Sequence, residues 1–342
     1  MDTKSLNPEE INTQNSRPLF SVVIPLYNEE ENIPELYRRL TGVLEKLCAD
    51  EGCPIDNYEI ILVDDGSTDS SWKLTKELHE KDARVTGISF SRNFGHHIAL
   101  SAGMDHAEGE AVVFMDGDLQ DPPEEIPKLC CKLKEGYDLV IGIRKKRSDS
   151  LYRRAISYLF WIMFKTFMKL DIPENQSLLR IMSKKYLANF RKIKERNRFL
   201  DGLFAWTGFN QTTIQVEHAP RFAGESKYST WKMIRLTFNA LTSFSYFPLQ
   251  LAGILGMSIS TLAFLTGLWL IIGRFYFNLY VEGWVSTMVA ILFMGGIQLA
   301  FLGLIGEYLG RVFTEVQARP LYMIKERTPS GERVLSCCGR IK

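Results

Sequence analysis

The sequence predicts an α/β domain built on a mostly parallel sheet, followed by two membrane-spanning helices towards the C-terminus. Three observations predict this. Short β-branched apolar runs alternate with amphipathic helical patterns between residues 20 and 142, as in a parallel sheet covered on both faces. Loops rich in Asp, Asn and Gly follow those runs, at the carboxyl edge where such sheets bind ligands. Two apolar stretches, Pro248 to Gly273 and Val285 to Gly306, each exceed the roughly 20 residues needed to cross hydrocarbon.

Taken in order, residues 1–18 contain no apolar core and read as a flexible leader rather than a cleavable signal. The domain that follows, 19–227, is therefore expected in the cytoplasm. It opens with the strand Phe20–Pro25 and a helix patterned by Leu36, Leu40, Leu44 and Leu47. Tyr58–Val63 is the second strand, with the turn Asp64–Asp69 and a helix from Ser70. Val85–Phe90 precedes a helix near 95–107, Ala111–Met115 precedes an acidic loop, and Tyr137–Gly142 is a further strand.

Two stretches, 151–170 and 228–247, segregate Lys and Arg from aromatic and aliphatic residues and read as amphipathic helices. Each either packs on the soluble core or lies at the membrane interface. The spans occupy 248–273 and 285–306, joined by an aromatic loop at 274–284 and followed by a tail over 307–342. Arg221, Lys227, Lys232 and Arg235 before the first span, and Arg311, Arg319, Lys325 and Arg327 after the second, place both termini in the cytoplasm and the loop outside. Gly295, Gly296, Gly303 and Gly306 permit close helix contacts, including contacts between subunits.

Composition narrows the function. With 342 residues and 46% hydrophobic side chains, the chain can bury one sizeable domain and keep apolar sequence for a membrane. A mean hydropathy of −0.07 averages the polar domain with the apolar spans. Lys and Arg number 41 against 40 Asp and Glu, so no global field favours nucleic acid, and none is expected as a partner. The six cysteines form no C-x-x-C pair and read as reduced thiols, with Cys337 and Cys338 as ordinary tail residues.

The loops carry the chemistry. Asp116 and Asp118 follow a buried strand, with Gln120 two residues on and Pro122-Pro123 stiffening the turn. Two carboxylates would repel a diphosphate, but a bridging Mg²⁺ or Mn²⁺ shares its shell between carboxylate and phosphate oxygens. Asp65, beside the turn glycine Gly66, can accept hydrogen bonds from a base or ribose. In the first loop Pro25, Tyr27, Asn28 and Glu29 can flank and bond a nucleoside, while Glu30 and Glu31 read as solvated. Arg92, in Ser91–Gly95, can neutralise diphosphate charge. His96 and His97 are adjacent and poorly placed to share one metal. Arg144–Arg147 reads as a solvated turn, or as a basic run facing anionic lipid or an acceptor phosphate.

Six ordered motifs carry a resemblance: Val23–Glu29, Val63–Ser67, Ser91–Gly95, Asp116–Pro123, Arg221–Tyr228 and Gly306–Arg311. Over residues 20–325 the chain resembles the family 2 polyprenyl-phosphate glycosyltransferases, most of all the bacterial bactoprenol glucosyltransferases within the dolichol-phosphate mannose synthase-like superfamily. The resemblance implies a GT-A nucleotide-sugar-binding fold and inverting transfer of a hexose, UDP-glucose leading, to undecaprenyl phosphate, giving a lipid-linked donor for lipopolysaccharide modification. It implies an inner-membrane enzyme, a homo-oligomer of tetramer type. Carried over by position, Pro25, Tyr27, Asn28, Glu29, Asp65 and Arg92 hold the nucleotide, and Asp116, Asp118 and Gln120 the metal and diphosphate. Arg180, Arg221, Ser226 and Lys227 meet the acceptor phosphate or leaving group.

One departure stands out. Many relatives carry Gly-Asp-Phe-Arg-Leu where this chain has Ser177-Leu178-Leu179-Arg180-Ile181, so Leu178 replaces an acid. A processive polysaccharide synthase is disfavoured because Gln-x-x-Arg-Trp is absent. The rival of another class is a non-catalytic scaffold or lipid-flipping partner, and other sugars such as mannose or aminoarabinose remain alternatives.

Overall fold

The computed structural model describes residues 18–144, 172–219, 247–277 and 283–329. The amphipathic stretch 151–170, nearly all of 228–247, and Arg221, Ser226 and Lys227 lie outside the described residues.

Strands β1 (Phe20–Leu26), β2 (Tyr58–Asp64), β3 (Val85–Phe90) and β4 (Ala111–Phe114) are joined through helices α1 (Ile33–Asp50), α2 (Ser71–Lys81) and α3 (His96–His106). Each β–α–β unit returns the chain to the same edge, so these strands pair in parallel in the order β4-β1-β2-β3. After α4 (Ile126–Lys134) come β5 (Leu139–Arg144) and β6 (Gln176–Ser183), then α5 (Lys184–Phe190), α6 (Leu200–Trp206) and β7 (Gln211–Val216). β6 lies antiparallel between β4 and β5, and β7 extends the sheet beyond β5.

Alternation along each strand builds two cores. Val22, Ile24, Ile60 and Leu62 face Leu36, Leu40 and Leu44 of α1, whereas Val23, Ile61 and Val63 face α3, α5 and α6. Pro25 was expected to end the first strand. β1 instead continues to Leu26, because β4 pairs only as far as Phe114 opposite Val23, and Pro25 lies beyond that ladder.

Two helices long and apolar enough to cross a membrane follow, α7 (Phe247–Phe277) and α8 (Trp284–Gln317). Large apolar side chains such as Leu262, Phe264, Leu292 and Leu302 are exposed along them. α8 runs past Gly306, where a cytoplasmic tail was expected to begin. At about 1.5 Å per residue its 34 residues reach about 51 Å, against about 30 Å of hydrocarbon, so a bilayer crossed by this helix would leave its end outside. Residues 318–329 of the expected tail are also placed against the domain. Ile324–Arg327 forms β8, an antiparallel edge strand on β3. Tyr322 stacks on Phe90 with ring centres 5.1 Å apart, Thr328 Oγ1 accepts the Gly87 N–H, and the Trp72 indole donates to Glu326.

Candidate active site

The strand order reverses at β1: the chain moves outward through β2 and β3, then returns to place β4 on the other side. A crevice must open there between diverging loops. A cavity of about 540 Å³ occupies it, lined by Pro25 near the end of β1, Tyr27 and Glu29 after it, Asp65 after β2, His96 after β3, Asp116, Gly117, Asp118 and Gln120 after β4, and Arg144 at the end of β5. That volume lies within the roughly 300–1,000 Å³ range of small-molecule sites.

The acidic loop is shaped by its own sequence. A Cβ on Gly117 would come within 2.8 Å of Leu26 Cδ2, so a side chain there would displace Leu26 where the loop crosses the end of β1. Asp118 is 6% exposed and its Oδ1 accepts the Gln120 N–H at 3.1 Å. Between them Leu119 takes a left-handed conformation (φ 59°), rare for a branched side chain and held here by burial. Asp121, which sequence reasoning passed over, anchors the loop from below: it accepts from the Ser177 hydroxyl and from Arg144 Nη2 (3.3 Å), and lies 3.4 Å from His218 Nδ1. β5, β6 and the end of β7 thereby fix where Asp116 and Asp118 stand.

Asp116 presents 30% of its side chain to the cleft, with His96 Nε2 3.6 Å away. Its carboxyl is pushed up to about 7, first by desolvation and then by the charges of Asp118 and Asp121, against the opposing pull of Arg144. A carboxylate cluster in that condition favours a cation, and its oxygen donors suit a hard divalent ion. Among the described residues no three His, Cys, Asp or Glu side chains form a complete metal site. Asp116 and Asp118 would thus supply part of a shell, leaving the remainder to substrate oxygens.

The second and third loops brace each other. Gly66 (φ 72°) packs so closely that a Cβ would lie 2.5 Å from the Arg92 carbonyl carbon. Asp65 lines the cleft, yet both its oxygens accept backbone N–H groups, from Phe94 at 2.7 Å and Gly95 at 2.9 Å. Burial raises its pKa although those two bonds lower it. Its first task is therefore to hold the loop that leads into α3.

Three residues differ from their expected places. Asn28 does not line the cavity; its Oδ1 accepts the Thr68 N–H at 2.9 Å, tying the first loop to the second. Arg92, expected to meet a diphosphate, lies exposed over the Phe94 ring at 4.1 Å. Among the described residues the cationic lining residue is Arg144, the first of a basic run read as a turn or a lipid-facing patch; residues 145–147 lie outside the described set. Arg180, expected at the acceptor, is 3% exposed and turned inward: Nη1 donates to Asp201 (3.0 Å), Nη2 to the Ser177 carbonyl (3.1 Å), and Nε to the Leu178 carbonyl (3.3 Å). β6 explains this, because Leu179 and Ile181 take the α1 face and leave Arg180 to the other.

A parallel sheet with an acidic cleft of ligand size at its switch point defines a nucleotide-binding α/β domain. The sequence matches Glycosyl transferase family 2 over residues 21–197. It is 41% identical to an uncharacterised glycosyltransferase of Synechocystis sp., over 90% of this chain and 94% of the relative. It is 39% identical to a prophage-derived bactoprenol glucosyl transferase of Shigella flexneri, over 90% and 97%. An undecaprenyl-phosphate 4-deoxy-4-formamido-L-arabinose transferase of Proteus mirabilis is 38% identical, over 90% and 93%. The chain belongs to glycosyl transferase family 2, and its domain is of the GT-A type.

Proposed function

We propose that this glycosyltransferase moves a hexose from a nucleotide-sugar, UDP-glucose first among candidates, to undecaprenyl phosphate at the cytoplasmic face of the inner membrane, with inversion at the anomeric carbon. The observation that carries the reading is the convergence of loops from β1, β2 and β4 on one cleft, with Asp116 and Asp118 in it and two membrane-length helices on the same chain. The relatives support the acceptor more strongly than the sugar. Those of Shigella and Proteus are named for different sugars but for the same class of lipid carrier.

The residues divide the work by charge. Tyr27, 41% exposed at the mouth, offers a flat face to a base, while Glu29 and Asp65 offer acceptors to base or ribose. Asp116, Asp118 and the Gln120 amide would hold Mg²⁺ or Mn²⁺, which when bound neutralises diphosphate charge and stabilises the leaving group. Arg144, which donates to Asp121 of the acidic loop, adds a positive charge to the cleft lining. The acceptor phosphate, with a second pKa near roughly 6, is already an anionic nucleophile at neutral pH. The chain must therefore align two anions in line rather than generate a strong base. Arg221, Ser226 and Lys227 are the expected contacts of the acceptor.

The test is transfer from radiolabelled UDP-glucose to undecaprenyl phosphate by the full-length protein in lipid nanodiscs. We expect a lipid-linked product that EDTA and Asp118→Ala both abolish. Cation-dependent nucleotide binding with no turnover on any nucleotide-sugar would overturn the reading.

A further inference from the structure

Beside the large cleft lies a second cavity of about 150 Å³, between α3, β6 and α6. Its apolar wall includes Leu178, and its polar lining is His97, Gln176, Ser177, Arg180 and Asp201. His97 Nδ1 and Gln176 Oε1 are buried and have no hydrogen-bond partner among the described residues. Buried polar atoms of native proteins are nearly always paired, with protein, water or a bound group.

The chemistry of the missing partner can be narrowed. Arg180 and Asp201 pair at 3.0 Å, so the cavity offers an anion little net attraction. The Arg180 donors are directed to Asp201 and to the Ser177 and Leu178 carbonyls. Asp201 keeps 30% of its side chain exposed and has acceptor capacity left for hydroxyl donors. A volume of this order accommodates about one six-membered ring. An uncharged polyhydroxylated ring fits these terms; a phosphate, a nucleobase with its ribose, or a lipid chain does not.

The cavity is also tied to the cleft. His97 follows His96, which lies against Asp116, and Ser177, another lining residue, donates to Asp121 of the acidic loop. A diphosphate held at Asp116 and Asp118 would carry its sugar towards this wall.

Resting on the function proposed above, we infer that this cavity receives the donor's hexose ring and that Asp201 is its specificity-determining residue. Asp201, carried on α6, accepts hydrogen bonds from ring hydroxyls beside Leu178, where the strand of many relatives carries an acid.

The experiment compares wild type with Asp201→Asn, Asp201→Glu and the double variant Asp201→Asn/Leu178→Asp, using full-length protein in nanodiscs containing undecaprenyl phosphate. It reads kcat/KM for UDP-glucose, UDP-galactose and UDP-N-acetylglucosamine, the Kd of UDP, and the Tm. Asp201→Asn should lower kcat/KM for the preferred sugar by about 10- to 100-fold and compress the ratios between sugars, with UDP affinity unchanged within about twofold. Leu178→Asp should restore part of the preference. Loss of UDP affinity in step with transfer, or lower rates with unchanged ratios, would show that Asp201 merely braces Arg180 and would overturn the inference. Should Asp201→Asn fail to fold, His97→Ala provides the same comparison: compressed ratios support the inference and unchanged ratios overturn it. If wild type transfers no sugar, the proposed function fails and this inference with it. If wild type transfers and every variant keeps its ratios, the inference fails alone.

Discussion

Arg144 offers the sharpest test of how the cleft handles a diphosphate. Its guanidinium lines the cavity, Nη2 is 3.3 Å from Asp121, and Nε is buried without a hydrogen-bond partner among the described residues. Arg92, the cation suggested by sequence, lies exposed over Phe94. If Arg144 contributes a charged hydrogen bond to a diphosphate, its loss should cost about 1.5–3 kcal/mol, or roughly 10- to 150-fold in Kd. The assay is isothermal titration calorimetry with UDP and with uridine, in saturating Mg²⁺, on wild type, Arg144→Ala, Arg144→Lys and Arg92→Ala. Arg144→Ala should weaken UDP by that factor and uridine by less than about twofold, with the lysine variant intermediate because it keeps charge but loses the planar fork. Asp121 retains Ser177 and His218 in these variants, so the acidic loop should keep its anchor. Equal loss for UDP and uridine would mean that the loop had collapsed. A larger loss from Arg92→Ala than from Arg144→Ala would refute the assignment.

Two further predictions concern the framework of the site. Gly66 and Gly52 both have positive φ, but a Cβ meets backbone only at Gly66; Gly52→Ala should cost about 1 kcal/mol and Gly66→Ala about 2–5 kcal/mol, read from chemical denaturation, and equal costs would contradict the packing argument. Burial raises the Asp82 carboxyl, but hydrogen bonds from Arg84 and Tyr37 outweigh it and hold the pKa below its usual value. A depressed folded-state pKa gives stability that is present above about pH 3.9 and lost as pH falls through the folded value. The stability gap between wild type and Asp82→Asn should therefore be full near pH 6 and shrink on acidification below pH 4; a gap independent of pH would exclude this linkage.

Much of this architecture is legible in the sequence for a topological reason. Strands β1 to β4 are continuous apolar runs joined by helices, and right-handed crossovers bring the loops after them to one edge. Hence Pro25, Tyr27, Glu29, Asp65, Asp116, Asp118 and Gln120 converge although they span the first third of the chain. What was hidden depends on side-chain direction. Arg180 sits in a motif suggestive of a ligand contact, but alternation with Leu179 and Ile181 turns it into the core, a signal that was readable. Arg144 heads a run of like charges, and only its place as the last residue of β5 separates it from its neighbours. β8 could not be read at all: Ile324–Arg327 has one apolar residue, all four are exposed, and its register comes from β3.

The last of these elements changes how the membrane helices relate to the chemistry. A glycosyltransferase with a soluble donor and a lipid acceptor must hold its cleft at a fixed height and tilt over the bilayer. A flexible tether would let the domain sample many orientations, each adding an entropic cost to the in-line geometry. Here the far end of α8 is fastened instead: Glu315 Oε1 accepts the backbone N–H groups of Arg196 and Asn197 at 2.8 and 3.0 Å, and Arg196 Nε donates to the Arg319 carbonyl. A few residues on, Ser91 donates its N–H to the Met323 carbonyl and β8 closes the sheet edge. Ser91 opens the loop whose Phe94 and Gly95 N–H groups are held by Asp65. A helix of membrane length is thus joined through side-chain and backbone hydrogen bonds to one wall of the cleft, so the orientation of α8 and that of the donor site are set together.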